Sequence, residues 1–468
     1  MSARIESVPG TPPVLSPEAT PSAVRYTDDE RAEVKRVLEE RLALWKEIGE
    51  AGTTDTWVHQ ELTKKGFNPK ESVPSGDAEK KAFKERRAAE RLEKKRLFAL
   101  ARDARRAATV MHLGAGVHWD EFTDADKLDI ADRESRQSAN GLPALETAEA
   151  LAAAMGIPVS KLRWFTYQRP ADSGTHYQRW SIPKRGGGQR TITAPKKDLM
   201  AAQRWALRNV FEKLPVHGAA HGFLPGRSVA TNAQVHAGAD VILKVDLKDF
   251  FPTVTWTRVK GLLRKAGMAE PVATLLALLC TESPRELVEF RGKTLWVATG
   301  APVLPQGAPT SPAITNAICL KLDLRLSALG RRLGFSYTRY ADDLAFSWRR
   351  SAENQHPSLG VLMEGLKAII TSEGFRLNPS KTAVLRKSAC QRVTGLVVNS
   401  AAAGARVRVP RETIRRLRAA IHNRKQGKPG KPGETLAQLE GMAAWIAMSD
   451  PKKGAQLLAQ VRALPLTR

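Results

Sequence analysis

Residues 335–347 read Phe-Ser-Tyr-Thr-Arg-Tyr-Ala-Asp-Asp-Leu-Ala-Phe-Ser, and this stretch decides the fold. Two arms rich in aromatic and other strand-forming residues flank the dipeptide Ala341-Asp342, a pattern that predicts a tight β-hairpin. Asp342 and Asp343 would then lie at the hairpin tip. A solvated acidic turn is the alternative interpretation, but the apolar and aromatic flanks favour a position in a cleft.

A further carboxylate follows an apolar run nearer the N-terminus. The segment from Val241 to Val245 predicts a buried strand that ends at Asp246. A carboxylate there costs desolvation energy unless it is paired or holds a cation, although an aspartate that merely caps a strand is the alternative. Magnesium prefers oxygen ligands. Two such ions roughly 3.5–4 Å apart stabilise both the attacking and the leaving oxygen of a phosphoryl displacement.

A third segment, residues 305–312, reads Pro-Gln-Gly-Ala-Pro-Thr-Ser-Pro and lies between the other two. It begins as a Pro/Gly turn and leads into an apolar helix, whose N-terminus would offer unpaired N–H groups to phosphates. On composition alone, a simple loop at a helix start is the stronger interpretation. The order of the three segments is the specific signal.

Composition bounds the class of protein. The 468 residues suffice for about three domains, or for one catalytic body with extensions. Lys and Arg number 74 against 48 Asp and Glu, which leaves a net charge of +26 and favours a polyanionic partner. Three scattered cysteines argue against a zinc site or a disulfide framework. Without a long apolar run or a signal-peptide pattern, we expect a cytoplasmic protein with no membrane partner.

Charge and periodicity divide the chain further. Residues 1–27 predict a flexible leader, 66–78 a linker, and 27–51 and 79–108 two helices. The second helix carries twelve Lys and Arg against five acids, which fits either a solvated face with ion pairs or a nucleic-acid-binding arm. Residues 142–162 predict a helical unit broken at Gly156 and Pro158. A basic helix is expected after Pro410.

The ordered motifs, an aspartate in a strand, then QGAPTSP, then YADD, resemble those of reverse transcriptases. Within that family the chain is most similar to the bacterial retron enzymes, over about residues 140–425. Residues 232–236 fit the NAxxH signature and residues 393–395 the VTG triplet. Taken alone, His236 could be a satisfied buried histidine, and Val-Thr-Gly could be ordinary strand and turn.

The resemblance implies an α+β right-hand polymerase with fingers, palm and thumb. The palm would be an antiparallel sheet that carries Asp246 beside the Asp342–Asp343 hairpin. Residues 139–400 would form interleaved fingers and palm, and 401–468 a helical, basic thumb. Residues 1–138 would be a mostly helical basic extension.

The resemblance also implies roles for individual residues. Asp246, Asp342 and Asp343 would hold two Mg²⁺ ions, with Mn²⁺ as a substitute. Lys381 would protonate the leaving pyrophosphate as a general acid, with a solvated surface lysine as the alternative.

Other residues would contact the nucleotide. Phe251 would be a steric gate against a 2′-OH, with a core phenylalanine as the alternative, whereas Phe250 is expected in the core. Gln306 would position the incoming dNTP and the template. Arg190, with Lys184 or Arg185, would bind the triphosphate.

By the same resemblance, a further set of residues would recognise the cognate RNA. They are Asn232, His236, Val393, Thr394, Gly395, Arg415 and Arg416. The enzyme would copy part of a structured non-coding RNA into DNA from the 2′-OH of an internal guanosine, leaving a branched RNA–DNA hybrid. Anti-phage defence, a toxic effector protein and template removal by host RNase H are further implications.

Two other functions compete with this one. A reverse transcriptase of a group II intron or a diversity-generating element would predict an appended maturase or endonuclease region, or a different partner gene. A non-catalytic RNA-binding scaffold would need none of Asp246, Asp342, Asp343 and Gln306, so their presence argues against it.

Overall fold

The computed structural model describes residues 28–67, 74, 76–108, 113–114, 117, 132–183, 187–352, 355–399, 407–428, 430 and 434–464. The chain divides into two compact units, 1–109 and 110–468. The expected boundaries at 138/139 and 400/401 stay predictions. The predicted flexible leader, Lys184 and Arg185 lie outside the described residues.

The first unit is helical, as its periodicity predicts. It contains α1 (Asp28–Glu50), α2 (Thr54–Lys64) and α3 (Asp77–Ala108). Thr53 caps α2, because its hydroxyl accepts a hydrogen bond from the Thr56 N–H at 3.1 Å. The three helices share a small apolar core made of Ile48, Trp57, Val58, Leu62, Leu97, Ala101 and Ala104.

The second unit mixes helices with short strands, which confirms the α+β class. Its helices are α4 (Arg133–Ala139), α5 (Ala148–Met155), α6 (Val159–Thr166), α7 (Lys197–Asn209), α8 (Val229–Val235), α9 (Trp256–Lys265), α10 (Glu270–Cys280), α11 (Ser311–Ile318), α12 (Leu320–Arg332), α13 (Leu359–Ser372), α14 (Arg411–Lys425), α15 (Leu436–Ala447) and α16 (Pro451–Arg462). Its strands are β1 (Ala171–Asp172), β2 (Tyr177–Pro183), β3 (Gln189–Pro195), β4 (Val241–Asp246), β5 (Arg285–Phe290), β6 (Lys293–Ala298), β7 (Phe335–Tyr340), β8 (Asp343–Trp348), β9 (Ala383–Arg386), β10 (Arg392–Val393) and β11 (Leu396–Val397).

Two helix boundaries refine the sequence predictions. The expected unit over 142–162 becomes α5 and α6, and α5 ends at Gly156, whose φ of +68° suits glycine. Helix α14 begins at Arg411, with Pro410 as the flanking cap residue rather than the first helical one.

The central sheet is antiparallel, in the order β7-β8-β4-β9. Side chains alternate between its faces, because successive residues of a strand point in opposite directions. Val241, Leu243 and Val245 of β4 therefore join a large core, whereas Ile242 joins a second one. Both faces of the sheet are covered, which explains why three consecutive residues of β4, Val241 to Leu243, are apolar.

The two cores are formed by different secondary-structure elements. Helices α5 to α7 and α9 to α13, with strands β4, β7 and β8, supply most of the large core, and α8, β10, β11 and α14 to α16 supply most of the second. Two smaller sheets accompany the central one: the β2–β3 hairpin and a three-stranded sheet in the order β1-β6-β5. None of the helices in the described part of the chain combines the length and the apolar character that crossing a membrane requires.

Candidate active site

Three aspartates meet at one end of the central sheet, here called the aspartate edge. Asp246 is the last residue of β4 and is paired in register with Asp343, the first residue of β8. The hairpin predicted from the sequence is present, because Tyr340 pairs with Asp343 and leaves Ala341-Asp342 as a two-residue turn. The Leu247 N–H donates a hydrogen bond to the Asp342 carbonyl at 3.0 Å, which ties the turn to the end of β4.

The turn adopts a backbone conformation that side chains rarely tolerate. Ala341 has φ +55°, in the left-handed region. Gly222 packs directly against it, and a Cβ added to Gly222 would lie 2.8 Å from the Ala341 nitrogen. Only glycine allows this approach, so the neighbouring loop supports the strained turn from outside.

The aspartate edge carries unbalanced negative charge. Burial, followed by the charges of Asp343 and Asp246, raises the pKa of Asp342 to about 6. Burial also raises the pKa of Asp343 above its usual value. Desolvation and like charge both disfavour the ionised carboxylate, so the edge favours the approach of a cation.

Asp246 already has two polar partners. Its Oδ1 accepts a hydrogen bond from Asn378 Nδ2 and its Oδ2 one from Lys381 Nζ, each at 2.8 Å. The carboxylate is 5% exposed and the lysine side chain 55% exposed. The hydrogen bond to Asp246 raises the pKa of Lys381. The structure therefore brings Lys381 to the aspartate edge, as a proton donor to nearby phosphate would require.

Asn378 is a residue whose part in the site the sequence analysis missed. Besides its side-chain contact, its N–H donates to the Asp246 carbonyl at 2.8 Å, and its Oδ1 accepts from Ser380 Oγ at 2.8 Å. The segment joins β4 to the 3₁₀ turn Pro379–Lys381 that carries the lysine. Asn378 is 132 residues from Asp246 in the chain, so only the fold reveals the pairing.

Among the described residues, no group of three or more His, Cys, Asp or Glu side chains forms a ready-made metal site. The donor types nevertheless fit a hard divalent cation, since all three side chains are carboxylates and two of them are destabilised in their ionised form. The residues are compatible with a metal site that is completed when cations and phosphates bind.

Gln306 lies on the loop before α11 and is joined to the β2–β3 hairpin. Its carbonyl accepts a hydrogen bond from the Thr193 N–H at 2.6 Å. Gly307 has φ +124°, and a Cβ there would lie 2.9 Å from Ile192 Cγ2. The loop therefore requires glycine and contacts β3, the strand on which Arg190 is exposed.

The two neighbouring phenylalanines differ in burial. Phe250 is 3% exposed and its ring centroid is 5.6 Å from that of Phe375, which confirms its prediction as a core residue. Phe251 is half-buried, so part of its ring faces outward. Its role as a gate stays a prediction. A cavity of about 500 Å³ lies beside this segment, lined by Asp249, Pro252, Thr253, Thr371, Gly374, Phe375 and Arg376.

A buried ion pair behind the hairpin was also missed. Arg339 and Asp323 are both fully buried and lie 2.7 Å apart, Nη2 to Oδ2. Arg339 Nη1 donates to Asn316 Oδ1 at 3.0 Å and to the Ala341 carbonyl at 3.3 Å. Tyr337 Oη donates to Asp323 Oδ1 at 2.7 Å. Two residues before the turn, Arg339 thus connects the strained carbonyl to α11 and α12.

The NAxxH and VTG residues meet behind the sheet in what we call the signature junction: Asn232, His236, Val393, Thr394 and Gly395. Asn232 Nδ2 donates to Thr394 Oγ1 at 3.4 Å, and Thr394 Oγ1 donates to the Val229 carbonyl at 3.0 Å. Asn232 and Val393 are each 1% exposed. The structure therefore joins the two motifs, with Asn232, His236 and Val393 in the interior, whereas Thr394 is half-buried and Gly395 is exposed.

His236 is fully buried in the signature junction. Its Nδ1 lies 2.7 Å from Ser347 Oγ and its Nε2 2.7 Å from Thr338 Oγ1, both within hydrogen-bond distance. Burial, assisted by the charge of Arg349, lowers the pKa of His236 to about 3, so the ring is neutral. The alternative of a satisfied buried histidine describes this contact set. A role in RNA recognition stays a prediction, one that operates through position rather than contact.

Arg415 and Arg416 lie on the outer face of α14. The opposite face of this helix buries Leu417 and Ile421 in the second core. Both arginines are exposed and available to a partner, as the basic periodicity predicts.

The sequence of this chain is similar to those of known proteins. The family model "Reverse transcriptase (RNA-dependent DNA polymerase)" matches residues 182–398. The chain is 56% identical to the retron Mx162 reverse transcriptase of Myxococcus xanthus, over 97% of this chain and 96% of that enzyme. It is 43% identical to the retron Mx65 reverse transcriptase of Myxococcus xanthus (70% and 74% covered) and 31% to the retron Ec86 reverse transcriptase of Escherichia coli (69% and 91% covered).

Among solved structures, a telomerase from Candida albicans aligns over 60% of this chain and 56% of its own, with 11% identity and a TM-score of 0.34, too low to bear on function. The family match and the antiparallel central sheet confirm the right-hand polymerase fold expected from the motifs. The identity to the retron enzymes extends over nearly the whole chain. The protein therefore belongs to the reverse transcriptases, RNA-directed DNA polymerases, and within them to the retron reverse transcriptases.

Proposed function

We propose that this reverse transcriptase copies part of a cognate structured non-coding RNA into single-stranded DNA, starting from the 2′-OH of an internal guanosine and leaving a branched RNA–DNA hybrid. The observation that carries the proposal is the convergence of Asp246, Asp342 and Asp343 at one end of the central sheet. A binding scaffold gains nothing from this arrangement, because the buried carboxylates at its edge destabilise one another.

The aspartate edge is proposed to hold two Mg²⁺ ions, with Mn²⁺ as a substitute. A divalent cation would remove the repulsion that raises the pKa of Asp342 and Asp343. When bound, the ions supply electrostatic stabilisation to the attacking and leaving oxygens of phosphoryl transfer.

Lys381 has two proposed tasks in succession. In the structure its ammonium group neutralises Asp246. The lysine is half-exposed and protonated. When another cation replaces it at Asp246, Lys381 can donate a proton to the pyrophosphate leaving group. Asn378 would keep Asp246 oriented during the exchange, through the hydrogen bond that it donates to Oδ1.

The incoming dNTP is proposed to lie between the aspartate edge and the β2–β3 hairpin. Arg190 on β3, with Lys184 upstream, would bind the triphosphate, since guanidinium groups recognise phosphate oxygens. The hydrogen bond between Gln306 and Thr193 would hold the loop and the hairpin at a fixed distance. Phe251, beyond Asp246, would exclude a ribose 2′-OH.

The cognate RNA is proposed to bind the exposed face of α14 through Arg415 and Arg416. The signature junction would position this helix, because its Val393 shares the second core with residues of α14 to α16. The branched hybrid would remain a partner of the enzyme after synthesis. Action in anti-phage defence, with a toxic effector protein and host RNase H, completes the proposal.

The proposal is tested by extracting nucleic acid from cells that carry the gene with its native upstream DNA. The wild type is compared with Asp342→Ala/Asp343→Ala and with a matched control, Asp29→Ala/Asp198→Ala, which removes two exposed carboxylates. The products are separated on a denaturing gel before and after RNase and debranching treatment.

We expect a short DNA in the wild type and the control that shifts on debranching and is missing from the aspartate-edge variant. A DNA product that debranching does not shift would contradict priming from a 2′-OH and favour an intron-like or diversity-generating enzyme. Abundant protein and transcript without DNA in any strain would favour the scaffold.

A further inference from the structure

A row of cations follows one side of α3 in the first compact unit. We call it the basic row: Lys81, Lys84, Arg91, Lys95 and Arg102, all exposed. Their spacings of three, seven, four and seven residues return to the same side of a helix with 3.6 residues per turn. The other side of α3 buries Leu97, Ala101 and Ala104 against α1 and α2.

The charge of the basic row is not compensated within the unit. In the described part of the chain, none of its five members forms an ion pair, whereas Arg87 and Arg96 of the same helix lie 2.6 and 2.9 Å from the carboxylates of Glu90 and Glu93. Glu85 is the exposed acid nearest to the row in the helix. Five like charges on one face repel each other and so favour an anionic partner.

Helix α1 shows the opposite arrangement in the same unit. Two of its exposed cations are paired locally, with Arg36 2.7 Å from Glu33 and Lys35 3.8 Å from Glu39, whereas Arg41 and Lys46 form no ion pair in the described part of the chain. Eight acids and five bases give α1 a net negative charge, whereas α3 has six acids and twelve bases. The need for polar residues on a surface helix therefore does not explain the row, because α1 is also exposed and carries a mixture of acids and bases.

The dimensions of the row indicate the type of anion. At 1.5 Å per residue, Lys81 and Arg102 lie about 32 Å apart along a straight helix. This length is comparable with one helical turn of a nucleic-acid duplex, which is about 34 Å in B-form DNA. Leu92, 72% exposed, lies on the same side and would contact sugar rather than phosphate. A single acidic peptide or a nucleotide would use only part of such a row.

We propose that the basic row binds the phosphate backbone of double-stranded RNA, in the form of a hairpin stem of the transcript that the enzyme copies. The choice of RNA rests on the proposed function, whereas the phosphate contact rests on the row itself. The family match begins at residue 182, so α3 lies outside the polymerase region that it covers. The first unit would then supply a second, sequence-independent grip on the RNA.

The test uses the full-length protein with all five row residues changed to Gln: Lys81→Gln, Lys84→Gln, Arg91→Gln, Lys95→Gln and Arg102→Gln. A matched control removes five exposed cations from α1 and α2: Lys35→Gln, Arg36→Gln, Arg41→Gln, Lys46→Gln and Lys64→Gln. Both variants have the same net charge. Circular dichroism and thermal unfolding confirm that each is folded.

The probe is a fluorescein-labelled RNA hairpin with a 20-base-pair stem of arbitrary sequence, titrated by fluorescence anisotropy at several KCl concentrations. We expect the row variant to bind at least about tenfold more weakly at 0.1 M KCl than the control. The slope of log K against log salt should be smaller by about 3.5 to 4.5, since each of the five lost phosphate contacts removes about 0.7 to 0.9.

Equal binding by the row variant and the control would overturn the proposal. A DNA hairpin of the same sequence that binds the row equally well would overturn the assignment to RNA. Primer extension on poly(rA) with oligo(dT) separates this proposal from the proposed function. Row-dependent RNA binding in a wild-type protein without polymerase activity would contradict the function and leave the row as an RNA-binding surface.

Discussion

The aspartate edge and the signature junction are built on similar hairpins and treat polar groups in opposite ways. Each hairpin has a two-residue turn whose first residue is a non-glycine with positive φ, Ala341 at +55° and Thr394 at +45°. At the aspartate edge three carboxylates come together with a single ion-paired cation, Lys381. At the signature junction the turn places a hydroxyl group between two helical partners, Val229 and Asn232.

This difference distinguishes residues suited to ligand binding from residues that stabilise the packing of the fold. Groups whose pKa is raised by burial and like charge, as in Asp342, are destabilised in their ionised form in the free protein. That form becomes more stable when a cationic ligand binds. Groups that are buried and paired, as in His236, are already stable and specify a unique packing. Asn232 is the exception in the junction, because its Oδ1 has no hydrogen-bond partner among the described residues.

The two ends of β4 allow the sharpest test of this comparison. Asp246→Asn at the aspartate edge should lower primer extension by about 10³-fold, because several kcal/mol of charge stabilisation are lost. Asp240→Asn, just before β4, loses the charge that pairs with Lys387 but keeps an oxygen for the Arg350 N–H, and should cost about 1 kcal/mol of unfolding free energy. Steady-state rates and denaturant unfolding measure both effects. Equal primer-extension activity in the two variants would contradict a special role for the aspartate edge in the reaction.

Arg339→Met removes the buried cation behind the hairpin. The uncompensated Asp323 should cost about 3–5 kcal/mol of unfolding free energy, measured by urea denaturation. The double variant Arg339→Met/Asp323→Leu should recover part of that loss, since no buried charge remains but Tyr337 Oη and Asn316 Oδ1 lose these partners. If the double variant is stable but extends primers slowly, Arg339 acts by positioning the Ala341 carbonyl. If it extends at the wild-type rate, the ion pair is purely structural.

His236→Ala tests the signature junction. The variant leaves Ser347 and Thr338 without their ring partner and opens a cavity, so we expect a loss of about 2–3 kcal/mol in unfolding free energy. RNA affinity per folded molecule, measured by anisotropy well below the unfolding temperature, should also fall, because the signature junction is proposed to position α14. Unchanged affinity in the fully folded variant would contradict that role and leave the junction purely structural.

The pH dependence of unfolding gives an independent control for His236. Its folded pKa, about 3, lies below the ordinary value of 6.5, so the unfolded chain binds the extra proton first. The contribution of neutral His236 to the free energy of unfolding is therefore complete above pH 6.5. It is lost progressively as the pH falls toward 3, and about 2 kcal/mol is lost at pH 5. His236→Ala should have a shallower pH dependence than the wild type over this range. His176, whose pKa burial lowers to about 4, contributes equally to both proteins.

The smallest expected effect concerns α14. Arg415→Gln/Arg416→Gln should weaken binding of the RNA hairpin by about tenfold and reduce the salt slope by about 2, with no change in unfolding temperature. Arg411→Gln/Arg418→Gln, also on exposed positions of α14, separates a local contact from the general charge of the helix. A loss of stability without a loss of affinity would contradict the assignment of these arginines to the RNA surface.

Much of the site could be predicted because it depends on local patterns. A buried strand that ends in an aspartate and a hairpin with two adjacent aspartates are written in consecutive residues, and both are present. The partners of these groups could not be found in the same way. Lys381 and Asn378 are 135 and 132 residues from Asp246, and periodicity has no access to contacts of that range.

The signature junction shows the other limit. Asn232 and Thr394 are separated by 162 residues and His236 and Ser347 by 111, so no local pattern indicates that these side chains face each other. The sequence by itself determined the strand that ends at Asp246, the hairpin with two adjacent aspartates, the order of the motifs, the family and the negative charge at one sheet end, because these follow from spacing, composition and motif order. The tertiary structure alone decided which polar residues lie in the interior, because burial depends on what packs against a residue from elsewhere in the chain.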